Sequence, residues 1–144
     1  MLRESQRLGF LGARPVEQAA EHAAAFATAL GPLADGARLI DLGSGGGLPG
    51  LVLADLLPRC SIVLVDRRQK RTDFLQRAIR RLGHEHVQVR EADVFGVAQE
   101  AEVGTEPAFD AVTCTENDTP TCCAFGVYVG PVAPAIAARL PSHW

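Results

Sequence analysis

Much that would fix a function at once is absent from this chain. Its four cysteines (Cys60, Cys114, Cys122 and Cys123) form no C-x-x-C pair, and no histidine stands at zinc-finger spacing from them. A structural zinc site is therefore excluded, and reduced, non-catalytic thiols are expected. No apolar run is long enough to span a membrane. Met1 to Arg7 is polar where a secretory signal would be apolar, so a cytoplasmic protein without membrane contact is expected. There are no internal repeats. The net charge of −3 gives no overall attraction to nucleic acid, and DNA is not expected as a partner. Any contact with nucleic acid would need a local patch.

What remains is an ordinary apolar fraction, 47% of 144 residues, sized for one domain with a real core. That domain would comprise an N-terminal helical segment (1–36), a ligand-binding core (37–113) and a tail of different texture (114–144).

The richest stretch is Asp41-Leu42-Gly43-Ser44-Gly45-Gly46-Gly47-Leu48-Pro49-Gly50. It follows the strand-like run Arg38-Leu39-Ile40 and precedes the helix-like Leu51-Val52-Leu53-Ala54. A strand, a glycine turn and a helix make the ligand-binding corner of a doubly wound α/β domain. Glycines let the chain turn sharply and let a ligand approach the backbone, while the first helical N–H groups point at it. Two ligand classes fit. Asp41-x-Gly43-x-Gly45-x-Gly47 has the D-x-G-x-G-x-G form of class I S-adenosylmethionine methyltransferases. Gly45-x-Gly47-x-x-Gly50 also satisfies the dinucleotide pattern G-x-G-x-x-G, as in an NAD-dependent oxidoreductase. The acid favours the first, because it would repel a pyrophosphate but attract a sulfonium and an ammonium. The dinucleotide match also begins later than a turn directly after the strand should. Asp41, Gly43, Ser44, Gly45 and Gly47 are accordingly candidate cofactor residues.

Strands and helices alternate along the core. Pro15 opens an alanine-rich helix over Val16 to Leu30, stopped by Gly31-Pro32. Leu51 to Leu57 reads as the first crossover helix. Ser61 to Asp66 reads as a buried parallel strand. Arg68 to Leu82 is a helix ended by Gly83, and His86 to Arg90 a third strand. Val94 to Val103 is a weaker helix and Phe109 to Thr113 a fourth strand. Such alternation predicts a Rossmann-like parallel sheet with flanking helices, its ligand at the carboxyl ends of the strands. Beyond Thr113 the pattern fades. Val127-Tyr128-Val129 suggests a short strand and Ala133 to Leu140 a short helix, so the sheet is expected to be incomplete at its C-terminal end.

Asp66 ends the second strand 19 residues after Gly47, the place of a carboxylate that accepts from two ribose hydroxyls. Either cofactor would use it. The following helix is strongly basic. Phe74, Leu75, Ala78, Ile79 and Leu82 share one face, while Lys70, Arg77, Arg80 and Arg81 gather on another. That stripe would either engage phosphates or form a solvated outer face. The four histidines form no constellation, and a surface or structural role is expected for each.

These residues resemble the bacterial ribosomal RNA small subunit methyltransferase G family, of the glucose-inhibited division protein B type. Gly47-Leu48-Pro49-Gly50 after the D-x-G-x-G turn carries the resemblance. Asp66, Lys70-Arg71, Phe74-Leu75, Ala92-Asp93 and Phe109-Asp110-x-Val112 continue it, over roughly residues 38 to 113. It implies transfer of a methyl group from S-adenosylmethionine to N7 of a guanosine in 16S ribosomal RNA, on the small ribosomal subunit. Gly43 and Leu48 would touch the cofactor, Asp66 the ribose, and Ala92 and Asp93 the adenine side. Lys70, Arg71, Arg77 and Arg81 would face RNA. Guanine N7 has a free lone pair, so no catalytic acid or base is expected. Thr115 stands where the family's arginine is expected. A truncated, non-catalytic cofactor-binding domain is the alternative.

Overall fold

The computed structural model describes residues 1–93, 109–115 and 125–132, with 114–115 and 125–132 described through the backbone. The expected helices over 94–103 and 133–140 lie outside the described residues.

Among the described residues nine elements follow one another: α1 (Leu2–Arg7), α2 (Val16–Leu30), β1 (Arg38–Leu42), α3 (Gly50–Leu56), β2 (Ser61–Asp66), α4 (Gln69–Leu82), β3 (Val87–Glu91), β4 (Phe109–Thr115) and β5 (Phe125–Val132). Local chemistry explains most boundaries. Pro15 caps α2, whose buried Ala23, Phe26 and Leu30 recur at helical spacing. Gly83 ends α4 in the left-handed region at φ 74°, where its N–H meets Arg80 O and the His84 N–H meets Ile79 O, a Schellman ending. Buried Thr72, Phe74, Leu75 and Ala78 form the inner face of α4. Leu82, expected on that face, is 42% exposed; as the last helical residue it has no following turn to cover it.

The strands form one sheet in the order β3-β2-β1-β4-β5. β1 pairs in parallel with both β2 and β4, and β2 with β3. The crossover logic of a doubly wound domain therefore holds for these four strands. β5 pairs antiparallel with β4, opposing Thr115 to Phe125 and Thr113 to Val127. The segment 116–124 is too short for a parallel return, which needs about a dozen residues or more, so a reversed strand is the available solution.

Register decides what lies where. On one face of the sheet stand Leu39, Ile62, Leu64 and Ala111, packed with Phe26, Leu30, Leu51, Leu53, Phe74 and Leu75 from α2, α3 and α4. On the other face Ile40, Leu42, Val65 and Val112 form a second buried cluster. Asp41, Asp66 and Thr113 fall on the first face by the two-residue period of the strands, so polar groups enter that layer at its carboxyl end. No helix among the described residues is long and apolar enough to cross a membrane.

Candidate functional site

The carboxyl ends of β1, β2 and β3 carry the glycine turn, Asp66 and Ala92, three of the places the sequence pointed to. The turn is built by backbone conformations that glycine alone adopts easily. Gly45 lies at φ 52° and Gly47 at φ 99°. A Cβ on Gly50 would strike the Leu64 side chain and Asp41 Oδ2, so α3 can start this close to the sheet only on glycine. The Leu48–Pro49 peptide bond is cis. Within residues 41–50 only Gly43 and Leu48 are half-buried and the rest are buried. The face that the turn offers outward is thus made by those two residues.

Asp41 is wholly buried. Its register partner Thr113 donates from Oγ1 to Asp41 Oδ1 at 2.9 Å. Oδ2 lies beside the Gly50 backbone but closes no hydrogen bond of good geometry. Burial pushes the Asp41 carboxyl up to about 6; the Thr113 and Ser44 hydroxyls and the Gly50 backbone oppose the shift, and the nearby Asp66 charge adds to it.

Asp66 is also buried, at 5% exposed. Its Oδ2 accepts from the Gly45 N–H at 3.0 Å, and Oδ1 accepts from the Arg68 N–H at 2.9 Å, which fixes the start of α4. Arg71 Nη1 approaches Oδ2 at 3.5 Å. Ala92 is half-buried and donates its N–H to Asp66 O at 3.2 Å, and Asp93 beyond it is exposed.

Two expectations change. Ser44 was expected to face a cofactor, but the turn consumes it. Its hydroxyl donates to Asp41 O and accepts from the Val65 N–H, its own N–H meets Val65 O, and its carbonyl takes the Gly47 N–H. It splices the ends of β1 and β2. Arg71 was expected to face RNA; its side chain is only 16% exposed and turned to Asp66. Lys70, Arg77 and Arg81 are exposed, with Arg81 Nη1 3.8 Å from Glu4 Oε2 of α1.

Sequence reasoning missed Ser5. It is wholly buried in α1, and its Oγ donates to Gly46 O at 2.7 Å. Leu11 closes over the same glycine. The first residues therefore form one wall of the turn. The only signal was a serine among the polar and charged residues Arg3 to Arg7. Cys60 is a free, buried cysteine whose thiol is pushed up by burial, in keeping with an unreactive thiol. His84 Nε2 lies 3.1 Å from Asp55 Oδ1 without hydrogen-bond alignment, and His86 Nε2 lies 3.1 Å from Ala54 O. These two tie the end of α3 to the start of β3, at the opposite end of the sheet. No metal-binding group occurs among the described residues.

Residues 3–115 match the model of the family described as rRNA small subunit methyltransferase G. The chain belongs to this family. The match reaches further back than the motifs alone suggested, so α1 and α2 are family elements too. The ribosomal RNA small subunit methyltransferase G of Rubrobacter xylanophilus is 49% identical over 70 residues, covering 49% of this chain and 27% of that protein. Its counterpart from Acidothermus cellulolyticus is 38% identical over 101 residues, covering 69% and 46%. The chain thus spans less than half the length of either relative. Among solved structures, precorrin-6y C5,15-methyltransferase from Geobacter metallireducens aligns with TM-score 0.55 at 20% identity, over 69% of this chain and 50% of that one. Coclaurine N-methyltransferase bound to N-methylheliamine and SAH aligns with TM-score 0.50 at 22% identity, over 58% and 24%. The fold is that of the Rossmann-like methyltransferases.

Proposed function

We propose that this member of the methyltransferase G family binds S-adenosylmethionine and methylates N7 of a guanosine in 16S ribosomal RNA. The observation that carries the cofactor assignment is the acid Asp41, buried at the end of β1 beneath the glycine turn, since Asp66 would serve the ribose of either cofactor. A sulfonium and an ammonium are welcome above an acid at the end of β1, whereas a pyrophosphate placed there is repelled. The turn also spends its Gly45 N–H on Asp66, removing a donor that a dinucleotide phosphate would need. Both points count against the oxidoreductase reading.

The half-open Gly43 and Leu48 would bound the cofactor on the β1 side, Asp66 would hold the ribose and Ala92 with Asp93 the adenine edge. Bound S-adenosylmethionine supplies an electrophilic methyl group with a neutral thioether as leaving group. The protein's task is positioning: the guanine lone pair must approach in line with the carbon–sulfur bond, and no proton need be removed first. Lys70 and Arg77, exposed on α4, provide cationic contacts for the RNA backbone.

The deciding experiment is radiolabelled methyl transfer to 30S subunits that lack this modification. Label at a single guanosine is expected. Cofactor binding without any transfer would instead support the non-catalytic cofactor-binding domain.

A further inference from the structure

Resting on the cofactor reading above, we infer that Arg71 is a displaceable cap on the ribose-binding carboxylate, coupling cofactor binding to RNA binding. An ionised carboxylate offers about four acceptor positions. At Asp66 two are taken by backbone donors, the N–H groups of Gly45 and Arg68, at 3.0 and 2.9 Å. Neither can leave without opening the glycine turn or the first turn of α4. A ribose diol needs two positions for its two hydroxyls, and Arg71 Nη1 stands at one of them.

Arg71 is the partner that yields. Its contact, at 3.5 Å, is the longest of the three, at the limit of a hydrogen bond. Its side chain is long, and 16% of it remains exposed, so a path to solvent exists. In the cofactor-free protein it neutralises a carboxylate that is 4% exposed and would otherwise sit beside buried Asp41 with only backbone dipoles as partners. When the ribose hydroxyls arrive they take over that hydrogen bonding, and the guanidinium turns outward next to exposed Lys70 in the first turn of α4. One more cation then faces the RNA backbone when the methyl donor is in place. RNA binding becomes tighter with cofactor than without it, and by linkage the cofactor binds tighter with RNA.

Two binding series on the purified full chain test this. S-Adenosylhomocysteine and its 2′,3′-dideoxy analogue are titrated into the wild type, Arg71→Gln and Arg71→Lys. Removing the competitor is expected to tighten S-adenosylhomocysteine roughly three- to tenfold in Arg71→Gln, less in Arg71→Lys, and to leave the dideoxy analogue unchanged. In the second series a 16S ribosomal RNA fragment is titrated against salt. The wild-type slope of log K on log salt should steepen by about 0.7 when S-adenosylhomocysteine is present, one further phosphate contact, and Arg71→Gln should show no such change. Equal or weaker S-adenosylhomocysteine affinity in Arg71→Gln, or a wild-type slope indifferent to the ligand, overturns the cap while leaving the cofactor reading intact. Failure of the wild type and both variants to bind S-adenosylhomocysteine overturns both.

Discussion

A carboxyl held at about 6 inside a sheet is a cost that the fold carries for its site. Burial lifts the Asp41 carboxyl from its ordinary 3.8 to about 6, and Thr113 satisfies only one of its oxygens. Between pH about 4 and 6 the folded state therefore holds a proton that the unfolded chain releases. The stabilisation from protonating Asp41 is fully present below about 4 and is lost as pH rises through about 6, on the order of 3 kcal/mol in all. Asp41→Asn keeps the shape and removes the titration. Urea unfolding of both proteins from pH 4 to 7 should show the wild type losing stability relative to the variant as pH rises, by about 1–3 kcal/mol. Parallel curves would mean that Asp41 does not titrate in this range. A cationic cofactor would favour the ionised carboxylate, so the wild type's affinity for it should fall below pH 6, whereas the variant's should be flat.

Among the elements, α1 shows what a sequence hides. Its six residues bury a single serine and carry no apolar period, so nothing local announces a helix. It stands because Ser5 bonds Gly46 O, 41 residues away, and because Met1 and Leu2 pack against the core, with the exposed pairs Arg3–Glu17 and Glu4–Arg81 adding little. Ser5→Ala leaves the buried Gly46 carbonyl without this partner and should cost about 1–3 kcal/mol in urea unfolding, with weaker cofactor binding because the turn loses a wall. An unchanged midpoint would show α1 to be a passenger. The helices α2 and α4 were readable because one buried face dictates their sequence, and β2 because burial on both faces makes it a continuous apolar run. The glycine turn was readable because few other residues permit its φ angles. Partner choice was not readable: the motif placed Ser44 at a ligand and Arg71 was a candidate RNA contact, and only the fold shows which polar groups meet. The direction of β5 was written in the length of 116–124 rather than in Val127 to Val129. The outer face of α4 now rests on Lys70, Arg77 and Arg80. Since Arg81 is engaged by Glu4, Arg77→Glu with Arg80→Glu is the cleaner reversal. It should weaken RNA binding and flatten its salt dependence by about 0.7 per lost phosphate contact, with cofactor affinity unaltered. RNA affinity indifferent to both changes would make this a solvated face.

At the scale of the molecule, charge is separated in a way the net value of −3 conceals. Two carboxylates are buried under the turn at the carboxyl end of the sheet, and cations stand along the outside of α4. A ligand carrying positive charge is drawn to the first region and a polyanion to the second, so methyl donor and RNA would converge from different directions without competing. The electrostatic half of this is testable on the whole chain by thermal unfolding with S-adenosylmethionine or NAD, each at about 100 times the dissociation constant of the former. A ligand that binds only the folded state stabilises it by about 2.7 kcal/mol at that excess, which for a chain of this size raises the midpoint by roughly 5–10 °C. S-Adenosylmethionine should do so and NAD should not, although both carry an adenosine that Asp66 could hold. The contrast therefore isolates the charge beside the ribose, which the acids select. Equal shifts would show that the adenosine alone governs binding and that the acids do not discriminate. No shift with either would leave the glycine turn as a structural corner, with Asp41 kept for the fold rather than for a ligand.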